Sequence, residues 1–208
     1  MFFKNMLFRR KRFYLRWKDA FPRAYGDDVR YICSRLSFRS ASPFGLLFSA
    51  KDSAWTLRSG ETVRIPYRIY LDDVFEAYDT LTPRQRIVYH CIFSRSYDGY
   101  VREKHVLALL ECEESDALMP YVVKLCDEYV AEILQTVYHR LHLRDCTAYR
   151  EFCSVNLDRV KLGHSRMISY WNEFYRIDCY RYRDYIGRRL YGECFGYGKT
   201  GQKQVHVT

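Results

Sequence analysis

Two adjacent rows of apolar side chains constrain this chain more than any other feature. Tyr121, Leu125, Tyr129, Ile133, Val137 and Leu141 recur at i, i+4, and Leu118, Val122, Cys126, Val130, Leu134 and Tyr138 form the row beside them. Residues at that spacing share one face of a helix. Two rows make a stripe wider than a coiled-coil seam, which other helices must cover. Lys124, Asp127, Glu128, Glu132 and Gln135 occupy the opposite, solvated side. The pattern predicts a helix of about six turns. Asp116 would cap it, and Pro120 would fall where a missing N–H has no intrahelical partner.

Weaker signals surround that helix. Residues 1–18 carry seven basic groups and no acid, so they read as a basic flexible arm or a short helix meeting an anionic surface. Residues 19–71 hold Pro22, Gly26, Pro43, Gly45 and Gly60 and read as loop-rich, with a short helix over Asp28–Leu36. Alternation of Val63, Ile65, Tyr67 and Ile69 with polar neighbours predicts a β-hairpin: 54–58, a Ser59-Gly60 turn, then 62–71, with Pro66 confining the second strand to an edge. A helical domain is expected over 72–195. It starts with a short helix capped by Asp72 or Asp73 and running through Tyr78. Thr82 and Pro83 then open a helix to about residue 95. Asp98-Gly99 turns the chain into a further helix over 101–111. Helices should also cover 147–162, 164–175 and 184–191, and residues 196–208 read as a flexible tail. The fold class is therefore mainly α, a compact helical bundle with a small N-terminal hairpin.

Charge is unevenly spread. Residues 1–71 hold 15 basic and 5 acidic groups, 72–132 hold 6 and 13, and 133–208 hold 13 and 7, which together make the net +9 of the 208-residue chain. The excess thus belongs to the two flanks. Between Arg159 and Lys203 ten basic groups interleave with ten Tyr, Trp and Phe residues. Arg and Lys neutralise phosphates while ring faces stack on unpaired bases, the combination that holds single-stranded nucleic acid.

Several classes of function find no support. No run approaches the apolar length of a transmembrane helix, and Lys4 and Arg9–Arg12 interrupt any apolar signal region. The eight cysteines read as thiols in a reducing cytosol, so a cytoplasmic location is expected. Gly196-x-Gly198-x-x-Gly201 has too little chain behind it for a nucleotide-binding helix. His139, His142 and Cys146 share a helical face with Cys153 beyond, but lack the paired spacing of a zinc site, so no metal or cofactor is expected. The carboxylate pairs Asp72-Asp73 and Glu113-Glu114 read as caps and turns.

Two resemblances add to this reading. Gly99–Tyr138, a helix with Arg102 and Leu109-Leu110 followed by one with Pro120 near its start, resembles a HEAT-like helix pair. That implies a short HEAT-like array serving as an interaction scaffold. Together with Arg166–Arg176 it also looks like a group of uncharacterised bacterial proteins of no assigned activity. Leu81–Arg86 and the helices behind it resemble the opening of helix-turn-helix regulators. The reading segment would then be 111–116, where Glu111, Glu113, Glu114 and Asp116 would face phosphate, so charge argues against that use.

The expected function is a non-catalytic binding or scaffold protein whose basic, aromatic-rich ends engage an anionic partner, with nucleic acid the leading candidate. The expected contacts are Arg9, Arg10, Lys11, Arg12 and Trp17 at one end and Tyr180, Arg181, Tyr182, Arg183, Arg188 and Arg189 at the other. A protein–protein adaptor or self-associating helical protein is the alternative. An enzyme comes third, with no catalytic residue to assign.

Overall fold

The computed structural model describes residues 2–39, 45–113 and 115–198, the side chains of 2–6 excepted. The described chain is mainly α-helical with one two-stranded antiparallel sheet. It divides into two units, residues 1–125 and 126–208. The division falls inside the predicted long helix and not at the expected boundary between 71 and 72.

In the first unit, α1 spans Phe2–Trp17 and α2 spans Gly26–Arg35. The expected flexible arm is therefore a helix. The reason lies at its C-terminal half, where Phe13 and Trp17, one turn apart, are both fully buried. Trp17 packs on Phe13, Phe21 and Tyr121, and the Tyr121 hydroxyl donates to the Ala20 carbonyl at 2.8 Å.

Strands β1 (Asp52–Thr56) and β2 (Thr62–Pro66) pair in the register Trp55↔Val63 and Asp52↔Pro66. Gly60 turns the hairpin at φ +87°, a conformation that favours glycine. The second strand ends at Pro66, which has no N–H to extend the ladder. Beyond it Ile69 bridges Phe48 on one side and Ser96 on the other.

No helix forms over 72–77. Asp73 is turned inward on other partners, and only a 3₁₀ turn at Tyr78–Thr80 precedes the next helix. Helix α3 (Pro83–Phe93) opens as the sequence indicates: Thr82 accepts from the Gln85 N–H while the Gln85 side chain accepts from the Thr82 N–H. Helix α4 (Gly99–Glu111) is capped by Asp98. Helix α5 (Met119–Leu125) is short and buried along its whole length. Arg95 and Arg102 are fully buried too, donating to the carbonyls of Tyr67, and of Ser96 and Tyr97.

The second unit begins with the interruption that splits the predicted helix. Residues 126–130 are non-helical, and α6 starts at Ala131 and ends at Leu141. The Tyr175 hydroxyl donates to the Tyr129 carbonyl at 2.5 Å and accepts the Ala131 N–H at 3.2 Å. One side chain thus satisfies two backbone groups that helix continuity would have paired. The apolar rows are kept on either side of the break but not through it: Cys126, Ile133, Leu134, Val137 and Tyr138 are buried, whereas Tyr129 is 55% exposed, and Lys124 and Glu128, expected on the solvated side, are buried. Helices α7 (Thr147–Val155) and α8 (Leu157–Tyr170) follow, then a π-helical turn at Trp171–Tyr175. Helix α9 (Ile186–Arg189) continues into a second π turn, Leu190–Cys194, that packs on α6 and α7. The expected tail lies outside the described residues from 199 onward.

Candidate functional site

The first candidate surface is α1. Its inner side is fixed by Phe13 and Trp17, so the remaining side chains divide between flank and solvent. Lys11, Arg12 and Lys18 are exposed, and Leu7, Phe8 and Leu15 stand out among them. Arg9 and Arg10 are half-buried at the flanks. Arg9 donates to the Gly45 carbonyl at 3.4 Å, and the Arg10 guanidinium lies 5.9 Å from the Phe38 ring centroid. Arg12 sits 5.6 Å from the Phe48 ring centroid and Arg16 pairs with Asp52 at 3.0 Å. A cleft of about 340 Å³ lies between α1 and residues 45–48, lined by Phe8, Arg9, Arg12, Leu46 and Phe48 among others. Trp17 does not belong to this surface, because it is fully buried in the aromatic core. Of the expected N-terminal contacts, Lys11 and Arg12 face solvent.

The C-terminal set is less open. Tyr180 is 73% exposed and Arg181 and Arg183 are exposed. The Arg176 guanidinium lies 5.9 Å from the Trp171 ring and 5.8 Å from the Tyr180 ring. Phe174 and Ile177 complete an exposed row with Tyr180. Tyr182, by contrast, bonds His164 at 3.0 Å and packs on Trp171. Arg189 pairs with Glu193 and lies 4.8 Å from the Tyr138 ring centroid. Arg188 donates to the Arg183 carbonyl at 3.4 Å. Glu173, Asp178 and Asp184 are exposed beside Arg176, Arg181 and Arg183, and Asp184 lies 3.6 Å from Arg183. The local charge is balanced there, whereas α1 carries no acid.

A third feature has no counterpart among the sequence expectations. Asp73 Oδ2 lies 3.0 Å from His105 Nε2, His105 Nδ1 lies 2.8 Å from His90 Nδ1, and His90 Nε2 lies 2.9 Å from the Tyr78 hydroxyl. Tyr89 donates to Asp73 Oδ1 at 2.5 Å, and Lys104 reaches Asp73 Oδ2 at 2.7 Å. Both imidazoles are buried. The Asp73 carboxylate accepts from Tyr89 and Lys104, and the two imidazoles face each other through their Nδ1 atoms. The groups thus run in the order Tyr78, His90, His105, Asp73.

The electrostatics follow from that order. Burial, and the neighbouring His105 imidazole after it, push the His90 pKa down to about 3. Burial works to raise the Asp73 pKa, but the bonds from His105, Lys104 and Tyr89 outweigh it and hold the carboxyl well below the usual range. Burial and the Asp73 charge push the Tyr89 hydroxyl up. Chemically this is a buried chain of hydrogen-bonding groups, running from Tyr78 to Asp73, in which burial keeps the His90 imidazole neutral near pH 7. The spacing of His105 with Val106, Leu109 and Leu110 places it on the buried face of α4, a signal present in the sequence. Its pairing with His90 and Asp73 needed the fold.

His142 lies against the Tyr138 ring with the two planes 8° apart, and Cys146 bonds the Leu141 carbonyl, so neither is oriented as a ligand. Among the described residues no group of three or more His, Cys, Asp or Glu side chains is placed to hold a metal ion. No known protein family, curated protein or solved structure matches the chain.

Proposed function

We propose that this chain is a non-catalytic binding protein that engages an anionic partner through its basic, aromatic-rich faces. The observation that carries the reading is α1: an anchored helix whose outer side presents Lys11 and Arg12, with Lys18 exposed just past its end and no acid anywhere in residues 1–18. A fixed cationic surface avoids the ordering cost that a flexible arm would meet on binding. Nucleic acid is the partner to test first, because the second unit offers ring faces for unpaired bases at Tyr180 and its arginine neighbours.

The test is fluorescence anisotropy of a labelled single-stranded oligonucleotide with the whole chain. Binding should weaken as salt rises from about 50 to 200 mM, linearly in log affinity against log salt. Lys11→Glu with Arg12→Glu should abolish most of that binding and flatten the slope. Tyr180→Ala should cost about 1–3 kcal/mol if the ring stacks on a base. A protein that binds no polyanion at low salt would end this reading.

A further inference from the structure

The outer side of α1 carries more apolar surface than phosphate contact requires. Phe8 is 65% exposed, Leu7 63%, Leu15 47%, and Leu46 across the cleft 49%. Helical spacing brings Phe8, Lys11, Arg12 and Leu15 to neighbouring positions, and Leu46 joins Phe8 in the cleft lining. The result is an apolar strip set among cations, on a helix whose inner side is already held by Phe13 and Trp17.

Resting on the reading of α1 as an anion-binding face, we propose that this strip lies on an anionic lipid surface. Phe8, Leu15 and Leu46 enter the boundary between headgroups and acyl chains, and Lys11 and Arg12 meet the phosphates.

Three physical points select this occupant. Of the exposed strip only Phe8 has a ring that could stack on a base, so a nucleic acid leaves Leu7, Leu15 and Leu46 in water. A second copy docking strip to strip would bring two acid-free cationic helices together, which like-charge repulsion opposes. An anionic bilayer satisfies both components at once: apolar side chains leave water while basic groups gain from the negative surface potential. Contact would be along the surface, since no described helix is long and apolar enough to cross a membrane.

The experiment is co-sedimentation of the full chain with vesicles of phosphatidylcholine alone and of phosphatidylcholine mixed with phosphatidylserine, run beside oligonucleotide binding. Binding should require phosphatidylserine. Phe8→Ser with Leu15→Ser, both exposed sites, should lower vesicle affinity about tenfold or more while leaving oligonucleotide binding and circular dichroism unchanged. Lys11→Glu with Arg12→Glu should abolish vesicle binding. Failure to bind the acidic vesicles, equal binding to the neutral ones, or wild-type vesicle binding by the Phe8/Leu15 variant overturns the lipid assignment. If oligonucleotide binds and vesicles do not, the lipid assignment falls and the anionic-partner reading stands. If neither binds, both fall.

Discussion

At the scale of single residues, the buried imidazole pair has the clearest measurable consequence. His90 has its pKa lowered by burial from 6.5 to about 3 in the folded state. Below pH 6.5 the unfolded chain therefore binds a proton that the folded chain does not, and stability falls as pH drops from 6.5 toward 3. Asp73, held low, contributes stability that is present above pH 3.8 and is lost as pH falls below that value. Urea unfolding at steps from pH 7.5 to 4 should show the histidine-linked loss, a few kcal/mol in all. His90→Gln should start less stable and change less over the same window. An equal slope in that variant would place the linkage elsewhere. Asp73→Asn should cost roughly 3 kcal/mol at pH 7, because a buried set of donors loses its charged acceptor. Asp73 also shows where sequence reading stops. Next to Asp72 it looks like a helix cap, and nothing local reveals that its partners lie on α3 and α4.

At the scale of elements, legibility followed the range of the interaction. Helix α3 was readable because its start is encoded within four residues, Thr82 to Gln85. Thr82→Ala should lower stability by about 1 kcal/mol, read as a fall in melting temperature. The hairpin was readable from alternation, though its second strand stops at Pro66. The long helix was legible as a buried face and illegible as two pieces, because its interruption depends on Tyr175, 44 residues after Ala131. Tyr175→Phe should cost about 1–2 kcal/mol, with faster amide exchange at Ala131 as the specific readout. Close packing is equally hidden from sequence. A methyl group at Gly187 would meet Met167 Sδ at 2.7 Å and the Tyr185 ring at 2.8 Å. Gly187→Ala should therefore destabilise by about 1–3 kcal/mol, where an ordinary glycine in a helix would gain from the change.

At the scale of the whole molecule, net charge proved less informative than its placement. Part of the basic excess is internal or paired, as Arg95 and Arg102 within the first unit and Arg166 with Asp127 in the second show. The cation-rich surface left at α1 was legible as composition, but the anchoring that makes it a face depends on Phe13 meeting Phe38 and Trp17 meeting Tyr121. All eight cysteines are free thiols, six of them buried, with Cys112 and Cys179 half-exposed. Thiol titration of the native protein should thus give two reactive groups, the other six appearing only on unfolding. More than two fast thiols would mean that a core opens readily.

The hydrogen bond between Tyr121 and Ala20 spans 101 residues of chain, and that separation dictates an order of events. The β1–β2 hairpin closes a loop of a few residues and is available as soon as it is made. The aromatic seat of Trp17 is incomplete until nearly all of the first unit exists, and loops of that length close slowly. During synthesis α1 therefore emerges well before its partner Tyr121 and docks late, so its apolar inner side stays open to chaperones or to misassociation until residue 121 has left the ribosome.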